Sequence, residues 1–453
     1  GCIWDWVDQA LNKPGEPDDH YYYGGSFGDA PNDNDFCCNG IVTADRQVTP
    51  KLLEVKNVCQ YIRFRLNDLN SVSLQNDYTV HNLTDFNLRY ELQQNGRTIR
   101  TETFGLPDCK PTENRTVSIP MERYLTDPDA EYFVNLEVIT KEPSLWADAG
   151  HVVASAQLPL RGEHAAQPVT AGGAISRTAD GNRLALSGDG WSIAFDKSTG
   201  RMESLVYSGK EMIDKGRGPE FYSYRTNNNE PRNYTACTFA LDNFSCTVDT
   251  ASRKAVVSAR ILATAGKVAV PYDVTYTVYP DGTVDVSAAY TTPAEGSLPR
   301  LGLRSMLDES LEQLEWYGRG PIENYPDRRS AAFVGRYKST VDAMKESYVR
   351  PQSMGTRTDT RWLALTDGSG KGIKVTALEG NFDFTALHYT DEDLWAQKYI
   401  QDIEKARCPA TVLNIDCATR GLGSASCGPG PLAEYTLAPS TTYSHAFRIS
   451  PLR

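Results

Sequence analysis

The N-terminal stretch holds the side chains best suited to bind a polar ligand. Trp4 stands beside Asp5, Asp8 follows closely, and residues 32–40 read NDNDFCCNG. An aromatic ring can stack on the C–H face of a sugar while amides and carboxylates bond to its hydroxyl groups. The same residue types also suit a solvated loop of side-chain-capped turns. From residue types alone, both interpretations stand.

Two later stretches also combine glycine with potential binding groups. Residues 316–328 read WYGRGPIENYPDR, and residues 421–431 read GLGSASCGPGP. The first could be a binding loop, but a structural turn with Asp327 and Arg328 in buried, hydrogen-bonded pairs is favoured. The second has flexible backbone that could approach a ligand or a neighbouring domain. Cys427 has no adjacent base, so a nucleophilic role is not indicated.

No motif supplies reacting groups. The six histidines are scattered and form no HExxH pattern, a phosphate loop is absent, and no two carboxylates are paired as acid and nucleophile. The ten cysteines include no CxxC pair, and Cys37 and Cys38 are adjacent. Zinc sites need paired ligands at short spacing, so mostly buried, reduced thiols are favoured.

The bulk composition narrows the classes of partner. A chain of 453 residues is expected to fold as two or three domains. Its net charge of −12 offers no basic surface for nucleic acid or an anionic membrane. No apolar run approaches the roughly 18 residues of a membrane helix. A soluble protein with a small neutral or polar ligand is predicted, in either the cytoplasm or the periplasm.

The N-terminal stretch is predicted to lie on a β-loop-α unit. Cys2–Val7 is predicted to form a short buried strand, and a long loop follows it. Thr49 can cap a helix and Pro50 suits its first position. Strand, loop and helix form the repeat of a β/α barrel, whose chemistry sits on the loops after the strands. The residues that give this helix one apolar face are Leu52, Val55, Cys59 and Ile62.

From about residue 63 the hydrophobic period changes to two. Alternation at residues 86–92 precedes Asn95-Gly96, the strongest short hairpin signal. A small antiparallel sandwich is predicted over residues 63–160.

Residues 161–182 are rich in Gly, Ala and Thr and are predicted to be a linker. Residues 183–453 are strand-rich, with turns predicted at 196–200 and 280–282, and favour a large antiparallel β-sandwich.

Several of these stretches resemble those of a known family. IWDWVDQ, GGSFGDAPNDNDFCCNGIVTADR and PKLLEVKNVCQYIRF look like the end of the catalytic barrel in glycoside hydrolase family 2 β-galactosidases. GRGPIENYPDR and NIDCATRGLGSASCGPGP are similar to signature stretches of their large C-terminal domain. The resemblance implies a mainly β fold in three parts. Residues 1–62 would be the last β/α unit of a TIM barrel, 63–160 an immunoglobulin-like sandwich, and 183–453 a supersandwich related to galactose mutarotase.

The resemblance also implies site residues. Trp4 would line a galactose pocket, and the Phe36 carbonyl and Asn39 side chain would bind Na⁺ beside the sugar's 6-hydroxyl. The Phe36 ring would shape the same pocket. Some family members place a stacking tryptophan where this sequence has Cys427. The two catalytic glutamates and the Mg²⁺ ligands of the family would lie outside this chain.

The implied function is part of a retaining β-galactosidase that hydrolyses terminal non-reducing β-D-galactose residues. This chain alone is expected to be inactive and to need the N-terminal part of the barrel as its partner. The resemblance leaves a homo-oligomer open. One alternative is a stand-alone carbohydrate-binding protein. Another is an aldose epimerase, which would need His388 or His445 to face a pocket together with a carboxylate.

Overall fold

A computed structural model describes residues 2–170, 172–226, 237–249, 253–423 and 428–452. Cys427 therefore lies outside the described residues. The fold is mainly β, which confirms the predicted class. Within the described part of the chain, no helix has the length and apolar character needed to cross a bilayer.

The N-terminal unit contains the predicted helix, α1, at Pro50–Val58. The predicted apolar face is too long, because the helix ends before Cys59, and Ile62 begins the next strand. The Thr49 side chain accepts a hydrogen bond from the backbone N–H of Leu52, and Pro50 stands in the first turn, so the predicted cap is confirmed. The predicted buried strand Cys2–Val7 is wrong. Only Val7 forms a bridge there, in parallel with Val42, and Trp4 is 77% exposed. No second layer of the described chain covers this segment, so its aromatic side chains face solvent.

The small domain is a sandwich of two antiparallel sheets, with strand orders β1-β2-β5 and β4-β3-β6-β7. Alternate residues of both sheets face one apolar core. Asn95 and Gly96 both have positive φ, at 49° and 73°, and join β3 to β4 as predicted. The strands are β1 Ile62–Asp68, β2 Ser71–Asn76, β3 Phe86–Gln94, β4 Arg97–Gly105, β5 Asn114–Ser118, β6 Tyr132–Thr140 and β7 Val152–Arg161.

In the large domain, the described residues form three antiparallel sheets around one extended core. Their orders are β12-β11-β10-β9-β8, β13-β18-β25-β24-β21 and β14-β15-β16-β17-β26-β23-β22-β19-β20. The strands are β8 Ser176–Asp180, β9 Arg183–Gly188, β10 Trp191–Asp196, β11 Met202–Tyr207, β12 Lys210–Glu211, β13 Glu220–Tyr222, β14 Thr238–Asp249, β15 Lys254–Ala265, β16 Val268–Val278, β17 Val284–Thr291, β18 Arg300–Leu307, β19 Gln313–Gly320, β20 Phe333–Thr340, β21 Arg357–Thr360, β22 Trp362–Thr366, β23 Gly372–Ala377, β24 Phe382–Leu387, β25 Thr411–Thr419 and β26 Thr442–Leu452. A short helix, α2, spans Asp391–Ala396.

The predicted linker, residues 161–182, is only partly a linker. Its end, Ser176–Asp180, is β8, which pairs with β9 across a two-residue turn at Gly181 and Asn182. Every β8 residue is exposed, so backbone hydrogen bonding rather than burial stabilises this strand. Its sequence has no hydrophobic alternation from which a strand could be predicted. The turns predicted at 196–200 and 280–282 are present, closed by backbone hydrogen bonds from Gly200 to Asp196 and from Gly282 to Tyr279.

Buried polar contacts join the two sandwiches. Arg361 of the large domain donates to both carboxylate oxygens of Glu131 at 3.0 and 2.6 Å, and the Tyr317 hydroxyl donates to the same carboxylate. The Gln157 side chain exchanges two hydrogen bonds of 2.7 Å with the backbone of Val334. These five side-chain hydrogen bonds with defined directions fix the relative placement of the domains more tightly than apolar contact alone.

Candidate ligand-binding site

A short backbone ladder brings the two ends of the N-terminal loop together. The Asp5 N–H donates to the Asn39 carbonyl at 3.2 Å, and the Ile41 N–H donates back to the Asp5 carbonyl at 3.1 Å. The Val42 N–H then donates to the Trp6 carbonyl at 2.9 Å. Trp4 directly precedes this ladder and Asn39 belongs to it. The structure therefore places the Trp4 segment beside the loop that carries Phe36 and Asn39.

Phe36 lies in a single turn of 3₁₀ helix, Asn34–Cys37. The Phe36 N–H donates to the Asp33 carbonyl at 3.2 Å. The Asn39 side-chain amide donates a short hydrogen bond to the Phe36 carbonyl. The Phe36 ring is 47% exposed. A backbone oxygen and a side-chain amide therefore meet at one point, next to an accessible aromatic ring.

The neighbouring Asp8 supports this loop. Its carboxylate is buried and accepts the Gly40 N–H at 2.6 Å. Burial raises the pKa of Asp8, while the nearby Lys51 ammonium lowers it. A Cβ on Gly40 would lie 2.0 Å from the Asp8 backbone nitrogen, so only glycine permits this approach. These contacts give Asp8 a structural role in holding the ladder.

The polar groups at this point of the loop are mainly oxygen donors. Among the described residues, no group of three His, Cys, Asp or Glu side chains is arranged to hold a metal ion. The Phe36 carbonyl and the Asn39 amide can offer two oxygen ligands to a hard cation, since the amide carries an oxygen as well as its N–H donors. Any further ligands would have to come from elsewhere.

The large domain holds this loop from the other side. The Arg350 guanidinium pairs with the Asp35 carboxylate at 2.8 Å. The Tyr23 hydroxyl donates to the Lys398 carbonyl at 2.6 Å, and the Tyr399 ring lies 5.1 Å from the Tyr23 ring. Sequence reasoning did not identify Arg350 or Tyr399. They lie more than 300 residues from the loop, and no local pattern marks them.

The Gly-rich stretch 316–328 is structural, as favoured from its sequence. Glu323 is buried, pairs with Arg328, and accepts hydrogen bonds from the Tyr348 hydroxyl at 2.7 Å and the Gly355 N–H at 2.8 Å. The Asp327 carboxylate accepts the backbone N–H groups of residues 422 and 423 at 2.9 and 2.7 Å. These bonds tie the stretch to the start of the second Gly-rich loop.

The remaining candidate residues either are buried in the large domain or lie outside the described residues. Cys427 is among the residues that the structure does not describe, so its contact with a ligand stays a prediction. The nine described cysteines are free thiols, but only Cys109 is buried, so the prediction of mostly buried cysteines is wrong. His388 is buried between the Ala410 carbonyl at 3.0 Å and Glu312 at 2.6 Å. His445 is buried against the Tyr290 hydroxyl at 3.1 Å.

Comparisons with known proteins agree along the whole chain. The family described as beta galactosidase small chain matches residues 187–449. Beta-galactosidase domain 4 matches residues 72–161, and the TIM barrel domain of glycosyl hydrolases family 2 matches residues 1–64.

The curated relatives carry the same name. The chain is 30% identical over 470 residues to a beta-galactosidase of Priestia megaterium, covering 100% of this chain and 44% of that protein. It is 34% identical over 405 residues to a beta-galactosidase of Lactobacillus delbrueckii subsp. bulgaricus, covering 86% of this chain and 38% of that one. The chain thus spans less than half the length of these relatives.

Among solved structures, a GalM/aldose epimerase homologue from C. elegans is 13% identical, with 61% of this chain and 99% of that chain covered and a TM-score of 0.33. That score is too low to bear on function. The match over residues 187–449 covers more than half of this chain. The chain belongs to the β-galactosidase small chain family and corresponds to the C-terminal portion of a glycoside hydrolase family 2 β-galactosidase.

Proposed function

We propose that this chain is part of a retaining β-galactosidase that removes terminal non-reducing β-D-galactose residues. The observation that carries the proposal is the ladder between Asp5 and Asn39, which brings the segment that follows Trp4 to the loop that carries Phe36 and Asn39. An accessible aromatic ring next to amide and carbonyl groups has the chemistry of a sugar site. In this proposal, Trp4 and Phe36 shape the galactose pocket.

The reacting groups of the proposed enzyme come from the rest of the barrel. A retaining glycosidase needs two carboxyl groups about 5 Å apart, one as nucleophile and one as acid/base. We assign neither role to a residue of this chain, and we place the Mg²⁺ ligands outside it as well. The chain's own residues bind and orient the sugar.

We propose that Na⁺ binds at the Phe36 carbonyl and the Asn39 side chain. The proximity of these two groups supports the assignment. Rotation of the Asn39 amide would turn its oxygen to the side where its N–H now meets the Phe36 carbonyl, and both oxygens could then face the same ion. Bound sodium would orient the sugar's 6-hydroxyl. In the same proposal Cys427 stands at the aglycone side, where a thiol offers less stacking area than the tryptophan of some relatives. We therefore expect a weaker aglycone platform.

The experiment that tests the proposal is an assay on a chromogenic β-galactoside, with the chain alone and with the N-terminal remainder of the barrel. Hydrolysis is expected only when both parts are present. Hydrolysis by the chain alone would contradict the proposal, because it would require a carboxylate pair that we place elsewhere. Titration of galactose into the chain alone tests the carbohydrate-binding alternative, and light scattering tests for a homo-oligomer.

The sodium site has its own test in the complete protein. Asn39→Ala should raise the sodium concentration needed for half-maximal activity and weaken galactose binding. Asn114→Ala is a matched control, because Asn114 is an exposed asparagine on the small sandwich. An unchanged sodium response in Asn39→Ala would reject the assignment.

The aldose epimerase alternative has less support. Such an enzyme needs a histidine that can exchange a proton with a sugar in a pocket. Both rings of interest, His388 and His445, are buried and hydrogen-bonded within the large domain. Their contacts are those of core residues.

A further inference from the structure

One ion pair connects the large domain directly to the loop that carries Phe36. Arg350 Nη1 lies 2.8 Å from Asp35 Oδ1, and the two residues are 315 positions apart in the sequence. The Asp35 side chain is 16% exposed and the Arg350 side chain is 32% exposed. Asp35 precedes Phe36 within the 3₁₀ turn Asn34–Cys37. Whatever holds Asp35 therefore also sets the position of the Phe36 carbonyl.

Arg350 is held on a firm base. Its neighbour Val349 is buried in an apolar cluster with Ala10, Tyr23 and Ala44. The Val349 carbonyl accepts the Ile400 N–H at 3.0 Å. The backbone next to Arg350 is therefore held by the N-terminal unit, through the Val349 side chain, and by the rest of the large domain, through the Val349 carbonyl.

The Arg350 side chain is also confined. Its guanidinium lies 5.7 Å from the centre of the Trp395 ring, on the large-domain side. On the loop side, Tyr23 borders the ion pair, and the Tyr23 hydroxyl is anchored to the Lys398 carbonyl. A guanidinium between an aromatic ring and a carboxylate has few other low-energy positions.

The loop side of the pair also packs on the large domain, since Cys37 and Cys38 lie against the apolar cluster that contains Val349. The ion pair adds a directional, charged contact at Asp35 itself. Asp35 belongs to a single turn, which is too short to be stable on its own. Within that turn the Cys38 N–H donates to the Asp35 carbonyl at 2.9 Å. A displacement of Asp35 therefore moves the backbone of this turn, and with it Phe36 and the adjoining Asn39.

We propose that Arg350 is a positioning residue for the galactose and sodium site, acting through Asp35 on the Phe36 carbonyl. This inference rests on the proposed function, and it assigns to the large domain a direct part in substrate affinity. Loss of the ion pair removes this directional contact, and the Phe36 carbonyl and the Asn39 amide shift relative to each other. Binding of sodium and galactose weakens, while the reacting carboxyl groups, which we place outside this chain, keep their positions.

The test uses the complete protein and compares Arg350→Met with Arg407→Met. Both side chains are 32% exposed, and Arg407 pairs with Asp342 at 3.0 Å on a different face. In Arg350→Met, the KM and the half-saturating sodium concentration should each rise about fivefold, the effect expected for one partly exposed ion pair. The kcat at saturating substrate and sodium should stay within about twofold. Arg407→Met should leave all of these constants unchanged.

Two further variants distinguish a positioning role of Arg350 from a role that only holds the large domain against the N-terminal unit. Arg350→Lys retains the charge and should recover part of the loss, although it lacks the planar fork. Asp35→Asn removes the charge without changing shape, so it keeps the test valid where Arg350→Met folds poorly. It should reproduce the rise in the sodium constant. Hydrogen exchange across residues 34–39 should accelerate in Arg350→Met and in Asp35→Asn, but not in Arg407→Met.

Three outcomes are decisive. A lower melting temperature in Arg350→Met with unchanged KM and sodium constant would show docking alone and would overturn the proposal. If Asn39→Ala alters the sodium response in the same preparation, the proposed function survives that result. Absence of β-galactoside hydrolysis in the unaltered complete protein would instead overturn the proposed function, and this inference with it.

Discussion

Replacing Arg361 with methionine should strip the interface between the two sandwiches of its strongest contact. The Glu131 carboxylate receives two hydrogen bonds from Arg361, at 3.0 and 2.6 Å, and one from Tyr317. Both charged side chains are nearly dry, with 6% of Glu131 and 7% of Arg361 exposed. Arg361→Met leaves the carboxylate buried with one neutral donor. Removing one partner of such a pair costs about 3–5 kcal/mol, so we expect a loss of that size.

The matched variant is the double replacement Glu131→Leu with Arg361→Met. It removes both charges, and apolar side chains of similar volume can replace a buried ion pair at little cost. We therefore expect the double variant to recover most of the stability lost by Arg361→Met alone. With Glu131→Leu as the second single variant, the double-mutant cycle measures the coupling of the two residues.

Because a chain with several domains need not unfold in one step, hydrogen exchange at the interface is the appropriate assay. The amides of Phe133 and Val334, on opposite sides of the interface, should exchange faster in Arg361→Met and near the native rate in the double variant. A loss below about 1 kcal/mol in Arg361→Met, the range of exposed pairs, would refute the reasoning. It would mean that water reaches the Glu131 carboxylate and that the other interface contacts hold the domains without the ion pair.

Three other predictions follow from the described contacts. Thr49→Ala removes the cap of α1 and should cost about 1 kcal/mol in thermal unfolding, while Thr49→Ser should retain most of it. Glu54 accepts the N–H groups of Ser330 and Ala331, both at 2.9 Å, so Glu54→Ala should speed exchange of these two amides; unchanged exchange would show that water replaces the carboxylate. Burial lowers the pKa of His445 from 6.5 to about 4, so the unfolded chain binds this proton more readily between those pH values. The stability that comes from this group is present above pH 6.5 and is lost as the pH falls towards 4. In His445→Gln, the free energy of unfolding in urea should therefore change less with pH between 6.5 and 4. An unaltered pH dependence would contradict the burial of His445.

Features with a local cause were predictable from the sequence. The α1 cap depends on Thr49 and Pro50 alone, and the β3–β4 hairpin depends on Asn95 and Gly96, which tolerate positive φ. These residues act on their immediate neighbours, so a short window contains all the necessary information. The mainly β class follows in the same way from repeated two-residue alternation.

Features that depend on a distant partner were not predictable. The segment at Trp4 has the composition of a buried strand, but burial needs a covering layer, and the described chain provides none. β8 is a strand only because β9 pairs with it, and its own side chains carry no signal. The loop with Phe36 and Asn39 could be singled out by residue type, whereas Arg350 could not, since only the fold brings it to Asp35.

The strand order of the nine-stranded sheet determines when this sheet can be completed during synthesis on the ribosome. β26 lies between β17 and β23, with four strands on either side of it. The ribosome makes β26 after every other strand of that sheet, so the two halves must wait as separate four-stranded pieces with unpaired edges. Such edges can pair with other chains while they wait. Closure by β26 is a long-range event that joins Val286 to Phe447, and it makes completion of the large domain a slow, late step after the small sandwich has folded.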